Sequence, residues 1–178
     1  MFYRNNAMKY LSPTCGLFFM AEEYIKFIYN FDYYMNIDEI NEIKIEESKY
    51  KQYLLKIQYN GIIGKIDDLE IFFLHYANIE QATEKWNRRK KRINRKLIIF
   101  KFNDQNLCEY KHLKAFNEFS ANNKICFTAK KYPEFNTVQL KQFENYEYVL
   151  SDTRENDYKT QFNMYKYINE IGDKYEKN

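Results

Sequence analysis

Apolar residues recur along this chain with two spacings, and the spacing changes often. Residues 69–76, LEIFFLHY, are apolar apart from Glu70 and His75. Two apolar faces predict a central strand covered by helices on both sides. Side chains alternate across a strand, so His75 is expected to share a face with Leu69, Ile71 and Phe73, with Glu70 opposite. A helix is predicted to follow, with Asn78 as N-cap and Gln81 as its capping-box partner. Ile79, Ala82, Trp86 and Ile93 line its apolar face. Upstream, Tyr24, Phe27, Ile28, Phe31, Tyr34 and Met35 stand at helical spacing, and Glu22 and Glu23 suit the positive end of that helix.

The remaining runs are shorter. Residues 12–19, SPTCGLFF, predict a strand or its entry, and 53–59, YLLKIQY, a strand that turns at Asn60-Gly61. Residues 97–102, LIIFKF, predict a strand ending at Asn103-Asp104, and 109–119 a helix through Leu113, Phe116 and Phe119. A buried strand at 124–128, KICFT, a short strand at 148–150 and a closing helix at 160–171, ended by Gly172, complete the series. Residues 36–51 fit neither period. Strands alternating with helices argue for an α/β fold, read as a single three-layer domain with a mostly mixed central sheet and helices on both faces. Neither an internal repeat nor a domain boundary is visible.

At 178 residues the chain is long enough for one domain with a real core. Two Pro and four Gly signal no flexible linker. The 18 Tyr and 15 Phe fit a stacking or sugar-binding surface, but AT-biased coding explains them together with the abundant Asn, Lys and Ile. A net charge of +3 argues against nucleic acid as partner. No secretory signal stands in residues 1–10 and no run approaches the roughly 18 apolar residues of a membrane span, so a cytoplasmic location is expected. Cys15, Cys108 and Cys126 are far apart, without a CxxC, so neither a disulfide framework nor a zinc site is expected. No metal or other cofactor is predicted.

Three features carry candidate chemistry. His75, at the expected carboxyl end of a central strand, stands where open α/β sheets gather ligands and could serve as a general base. Asp104, at the end of the next strand, is its candidate orienter. The run Arg88, Arg89, Lys90, Lys91, Arg92 could bind phosphate or a partner, with Arg88, Arg89, Lys91 and Arg92 as the candidates. Cations also suit a helix C-terminus, and Glu84 can pair with Arg88 four residues on, so a structural role competes strongly. Asp67 and Asp68 are adjacent rather than spaced as a metal-holding Asp-x-Asp, and fit a turn.

Five segments together resemble a bacterial domain-of-unknown-function family, number nineteen-nineteen, whose members are often labelled exopolysaccharide biosynthesis proteins. They are YLSPTCGLFF (10–19), EEYIKFIYNFDYY (22–34), GKIDDLEIFFLHY (64–76), EKWNRRKKRIN (84–94) and NKICFTAKKYP (123–133). Family members carry an amino-terminal strand and a Ser-Asn-Asn-Cys motif before the position matching Phe2, so the chain is expected to be truncated at its amino terminus. The block EIFFLHY…KWNRRKKRIN is also weakly similar to cysteine-peptidase-like families. The resemblance implies a Cys–His hydrolase or acyltransferase of cell-envelope glycan, in which this chain keeps His75 and Asp104 but lacks the nucleophile. Cys15 is a poor substitute, since the matching family position is usually apolar and lies beside a strand. A non-catalytic accessory protein, docking a polysaccharide-assembly enzyme through the basic helix, is the alternative. A nucleotide-sugar glycosyltransferase is weakened by the missing spaced carboxylates. The expected ligand is accordingly a glycan or nucleotide-sugar, and the oligomeric state stays open.

Overall fold

The computed structural model describes residues 12–150 and 161–176. These form two compact units, one of residues 12–93 and one from residue 94 onward. The α/β class is as expected, but the strands are divided between two sheets, one antiparallel and one parallel, rather than joined in one.

In the first unit, β1 (Leu17–Phe18), β2 (Asn41–Ile43), β3 (Ile62–Ile66) and β4 (Leu69–Phe73) form an antiparallel sheet of order β1-β4-β3-β2. All five residues of β4 are buried, as two apolar faces predict. On one face Phe72 stacks on Phe18 with ring centres 5.1 Å apart, and meets Tyr50 and Tyr59 edge-on. On the other, Phe73 lies so close to Gly64 that a Cβ there would come within 2.6 Å of its ring and 2.7 Å of Ile40. Glycine at 64 is what lets the opposite face close over the sheet. The β3–β4 turn is made by Asp67, with φ of 54°, and Asp68. Tyr33 donates to the Asp67 carboxylate and Tyr34 to that of Asp68, each at 2.7 Å, and Lys26 pairs with Asp68. Lys26, and then the Tyr34 hydroxyl, hold the Asp68 carboxyl below the usual range. The two aspartates are therefore turn residues tied to helices.

Those helices are α1 (Ala21–Tyr29) and α2 (Phe31–Asn36). The predicted single helix is broken at Asn30, whose own side-chain amide donates to the Lys26 carbonyl. Residues 53–59 correct the prediction of a strand: α3 (Lys51–Lys56) is a helix that buries Leu54. The next helix, α4 (Ile79–Lys90), starts as predicted, with Asn78 Oδ1 accepting the Gln81 amide at 2.9 Å. Gln81 reaches back one residue further than a capping box requires, to the Ala77 amide. Ala82 and Trp86 are its buried residues, and Ile93 lies beyond its end.

The second unit has a parallel sheet of β5 (Phe100–Asn103), β6 (Lys124–Thr128) and β7 (Val138–Gln139), in that order. Helix α5 (Tyr110–Glu118) crosses from β5 to β6 and stacks Phe116 on Phe102 at 5.2 Å. The opposite face, with Ile125 and Phe127, is packed by Phe162, Met164 and Tyr167. The last two belong to α6 (Met164–Glu176). Two expectations are corrected here. Residues 148–150 make no strand, and α6 runs through Gly172 instead of ending there. Residue 160, the predicted helix start, lies outside the described residues. Among the described residues, no helix is long and apolar enough to cross a membrane.

Candidate functional site

β4 stops at Phe73, two residues before His75. The Phe73 carbonyl accepts the Tyr59 hydroxyl, and the Leu74 amide donates to the Gly16 carbonyl as the last rung before the chain bends. The bend carries His75 into solvent, so it does not share the buried face with Leu69, Ile71 and Phe73 as strand alternation predicted. Because Leu17 pairs with Phe73, the turn at residues 13–16 and the segment 74–76 stand at the same end of the sheet.

Three side chains tie that end together. Tyr76 donates its hydroxyl to the Cys15 carbonyl at 2.7 Å. Arg89, from α4, donates to the same carbonyl at 2.8 Å and to the Tyr76 oxygen at 2.7 Å. The Lys85 ammonium, one helical turn earlier, stands 5.1 Å from the Tyr76 ring centre, within cation–π range. Gly16 has φ of +81°, and a Cβ there would lie 3.3 Å from the Tyr76 ring. The segment 12–16 thus needs glycine both for its backbone conformation and for this close approach.

Two cations, a phenol and a thiol therefore meet from three separate segments, while His75 adjoins Tyr76 in the chain and is exposed. Burial raises the Cys15 thiol above its ordinary pKa, and the Arg89 guanidinium opposes the rise. Burial likewise raises the Tyr76 phenol, again against Arg89. The thiol rests protonated and needs a base to react. The Cys108 thiol is pushed up further, to about 12, first by burial and then by Asp104 and Glu109. Cys126 is buried in β6. In the folded protein, iodoacetamide is accordingly expected to modify Cys15 before Cys108 and Cys126. Peptide mass spectrometry after short exposure at pH 8 to 9 checks the order; Cys108 reacting first would refute it.

The profile of the family described as Domain of unknown function (DUF1919) matches residues 1–173, nearly the whole chain. The chain belongs to this family. It is also 27% identical over 164 residues to an uncharacterized protein of Haemophilus influenzae, covering 89% of this chain and 73% of the relative.

Within this family member the other predicted site residues are dispersed. Helical geometry turns each successive residue by about 100°, so the basic run does not act as a block. Arg88 pairs with Glu84 at 3.0 Å, as the i,i+4 spacing predicts. Arg89 turns to Cys15 and Tyr76, and Lys90 to Asp38 at 2.6 Å and the Ile37 carbonyl at 2.7 Å. Lys90 holds the Asp38 carboxyl below the usual range. Lys91 and Arg92 are exposed. Asp104 lies buried in the second unit, where its two carboxylate oxygens accept the Ala129 and Val149 amides at 2.7 Å each.

Sequence reasoning missed Tyr76 and Lys85, although the Lys85–Arg89 spacing of four was a usable signal. It also missed a buried polar cluster. Glu23 is fully buried, pairs with Lys49, and accepts from the Tyr50 hydroxyl and the Glu70 amide at 2.8 Å each. Glu70 in turn accepts from Ser48 Oγ at 2.6 Å and the Lys49 amide at 3.2 Å. All five of these contacts bring donors to the two carboxylates, which marks the cluster as a framework element and not a reactive one. Among the described residues no group of three His, Cys, Asp or Glu could hold a metal ion.

Proposed function

We propose that the protein serves bacterial surface-polysaccharide biosynthesis in the cytoplasm, as a hydrolase or acyltransferase of ester-bearing glycan working at the β1–β4 end of its antiparallel sheet. What supports the reading is that Tyr76 and Arg89, the latter 74 residues away, both bond the Cys15 carbonyl, with His75 next to Tyr76 in the chain; Cys15 then takes the nucleophile's role that the sequence alone left empty. His75 accepts the Cys15 proton as sulfur bonds to the acyl carbon. The ester C–O bond then breaks, and the departing sugar oxygen takes the proton from His75. Water or a second sugar hydroxyl releases the acyl group from the thioester, with His75 again carrying the proton. Tyr76 and Arg89 position the Cys15 backbone. Asp104 has no part in this sequence, because its oxygens serve the Ala129 and Val149 amides.

The experiment is acyl transfer from p-nitrophenyl acetate, followed by nitrophenolate release and by mass analysis of Cys15. Wild-type protein is expected to carry an acetyl group on Cys15, and Cys15→Ser to carry none. His75→Ala is expected to slow release by about 10²-fold or more. Equal rates in His75→Ala and wild type would sink the reading.

A docking role is the second reading, favoured by the exposed Lys91 and Arg92 beyond α4. Reversing the charge of Arg88, Lys91 and Arg92 would then abolish capture of a polysaccharide-assembly enzyme while the acyl-transfer assay stayed silent in all variants.

A further inference from the structure

We propose that the second unit holds a separate binding groove for an anionic oligosaccharide. The groove, about 830 Å³ and open to solvent, lies at the amino ends of β5 and β6, away from Asp104. Its volume falls within the range of ligand pockets, and its open form suits a chain more than an enclosed small molecule. Two cations, Arg95 and Lys96, line it, together with Ser120, Asn122 and Asn123, and among the described residues no carboxylate does. Amides and a hydroxyl answer the hydroxyls of a sugar, and cations answer a carboxylate or phosphate substituent.

One feature would oppose an anion here, the negative end of α5, which runs into this loop. Lys124 removes it. Its ammonium donates to the carbonyls of Phe116 and Asn117 in the last turn and of Phe119 just beyond it, at 3.1, 2.6 and 2.5 Å, placing a positive charge on that end. A nucleic-acid strand would need rings on which bases stack. Among the described residues the one aromatic side chain of the lining, Phe100, is half-buried and already packed edge-on against Phe119 at 5.0 Å.

The wall contributed by α6 contains Gly172, where an added Cβ would meet nothing within 4 Å. Glycine is the poorest helix former after proline, so a larger residue there fills the groove and favours the helix at once. That gives a blocking variant that keeps the fold.

The test titrates the full chain with tetragalacturonate, maltotetraose, inorganic phosphate and oligouridylate, read by amide chemical shifts. Tetragalacturonate is expected to shift residues 95–97 and 120–123. Lys96→Glu and Gly172→Phe should each weaken it by about tenfold or more, and Gly172→Ala should leave the melting temperature unchanged or raised. No shift with tetragalacturonate overturns the proposal. So does equal binding of maltotetraose, of phosphate alone, or of oligouridylate, and so does undiminished binding in Gly172→Phe. The readout uses neither His75 nor Cys15, so its failure leaves the acyl-transfer reading standing, and the reverse holds too.

Discussion

Replacing Asp104 by alanine is expected to lower the unfolding free energy by about 2–6 kcal/mol, because two buried backbone donors lose their acceptor and each such loss costs about 1–3 kcal/mol. The Ala129 amide lies just past β6, and the Val149 amide lies in a loop 45 residues from Asp104 along the chain. Both Ala129 and Val149 belong to the apolar core of the second unit. The carboxylate is therefore what holds that loop against the sheet while satisfying groups that water cannot reach. Asp104→Asn keeps the shape but turns an NH₂ toward one of the two donors, so it should fall between wild type and alanine. Urea unfolding followed by circular dichroism measures both variants. Hydrogen exchange offers a local check, since the Ala129 and Val149 amides should be protected in wild type and fast in Asp104→Ala. A loss below about 0.5 kcal/mol, within the usual range of surface substitutions, would remove Asp104 from this role.

Asp104 also shows where sequence reading succeeds and where it stops. Its position at a strand's carboxyl end was legible, because LIIFKF ends at Asn103-Asp104 and β5 ends at Asn103. The donors it accepts were not, since no periodicity links residues 104, 129 and 149. The same divide runs through the fold. β4, β6 and the start of α4 were legible because burial on both faces and capping leave local marks. The segment YLLKIQY was misread because a short apolar run fits either period. In fact Leu55 and Ile57 are 51% and 44% exposed, while Tyr50, Tyr53 and Leu54, at helical spacing, face the core. His75 was assigned to the wrong surroundings for a related reason. Alternation holds only while the strand lasts, and its end was set by Gly16 and Tyr59, partners distant in sequence. Burial of Glu23 was invisible as well, because a glutamate near a helix start already had a sufficient local explanation.

Glu23→Ala should produce the other large effect, a loss of about 2–6 kcal/mol, because the Glu70 amide and the Tyr50 hydroxyl lose their acceptor at about 1–3 kcal/mol each. Three donors converge on this carboxylate: Lys49, the Tyr50 hydroxyl and the Glu70 amide. Alanine strands the Glu70 amide, which sits in a buried strand, and the half-buried Tyr50 hydroxyl, while the exposed Lys49 ammonium turns to water. Glu23→Gln retains the volume but loses the charge and presents donors to donors, so it should also be destabilised. The loss has a pH signature. Burial, then the charge of Glu23 and its hydrogen bond, raise the Tyr50 pKa. Burial works against the Lys49 ammonium, but Glu23 outweighs it and the Lys49 pKa is also raised. Both groups therefore have folded values above their unfolded ones. Their contribution is complete below about pH 10, the ordinary range for tyrosine and lysine, and declines as pH rises through the folded values. Without Glu23 that contribution shrinks, so the gap between wild type and Glu23→Ala should narrow between about pH 9 and 11. Urea midpoints at both pH values decide the matter. A gap that stayed constant would mean the cost arises from the Glu70 amide alone, and the ion pair with Lys49 would then add nothing to the stability of the first unit.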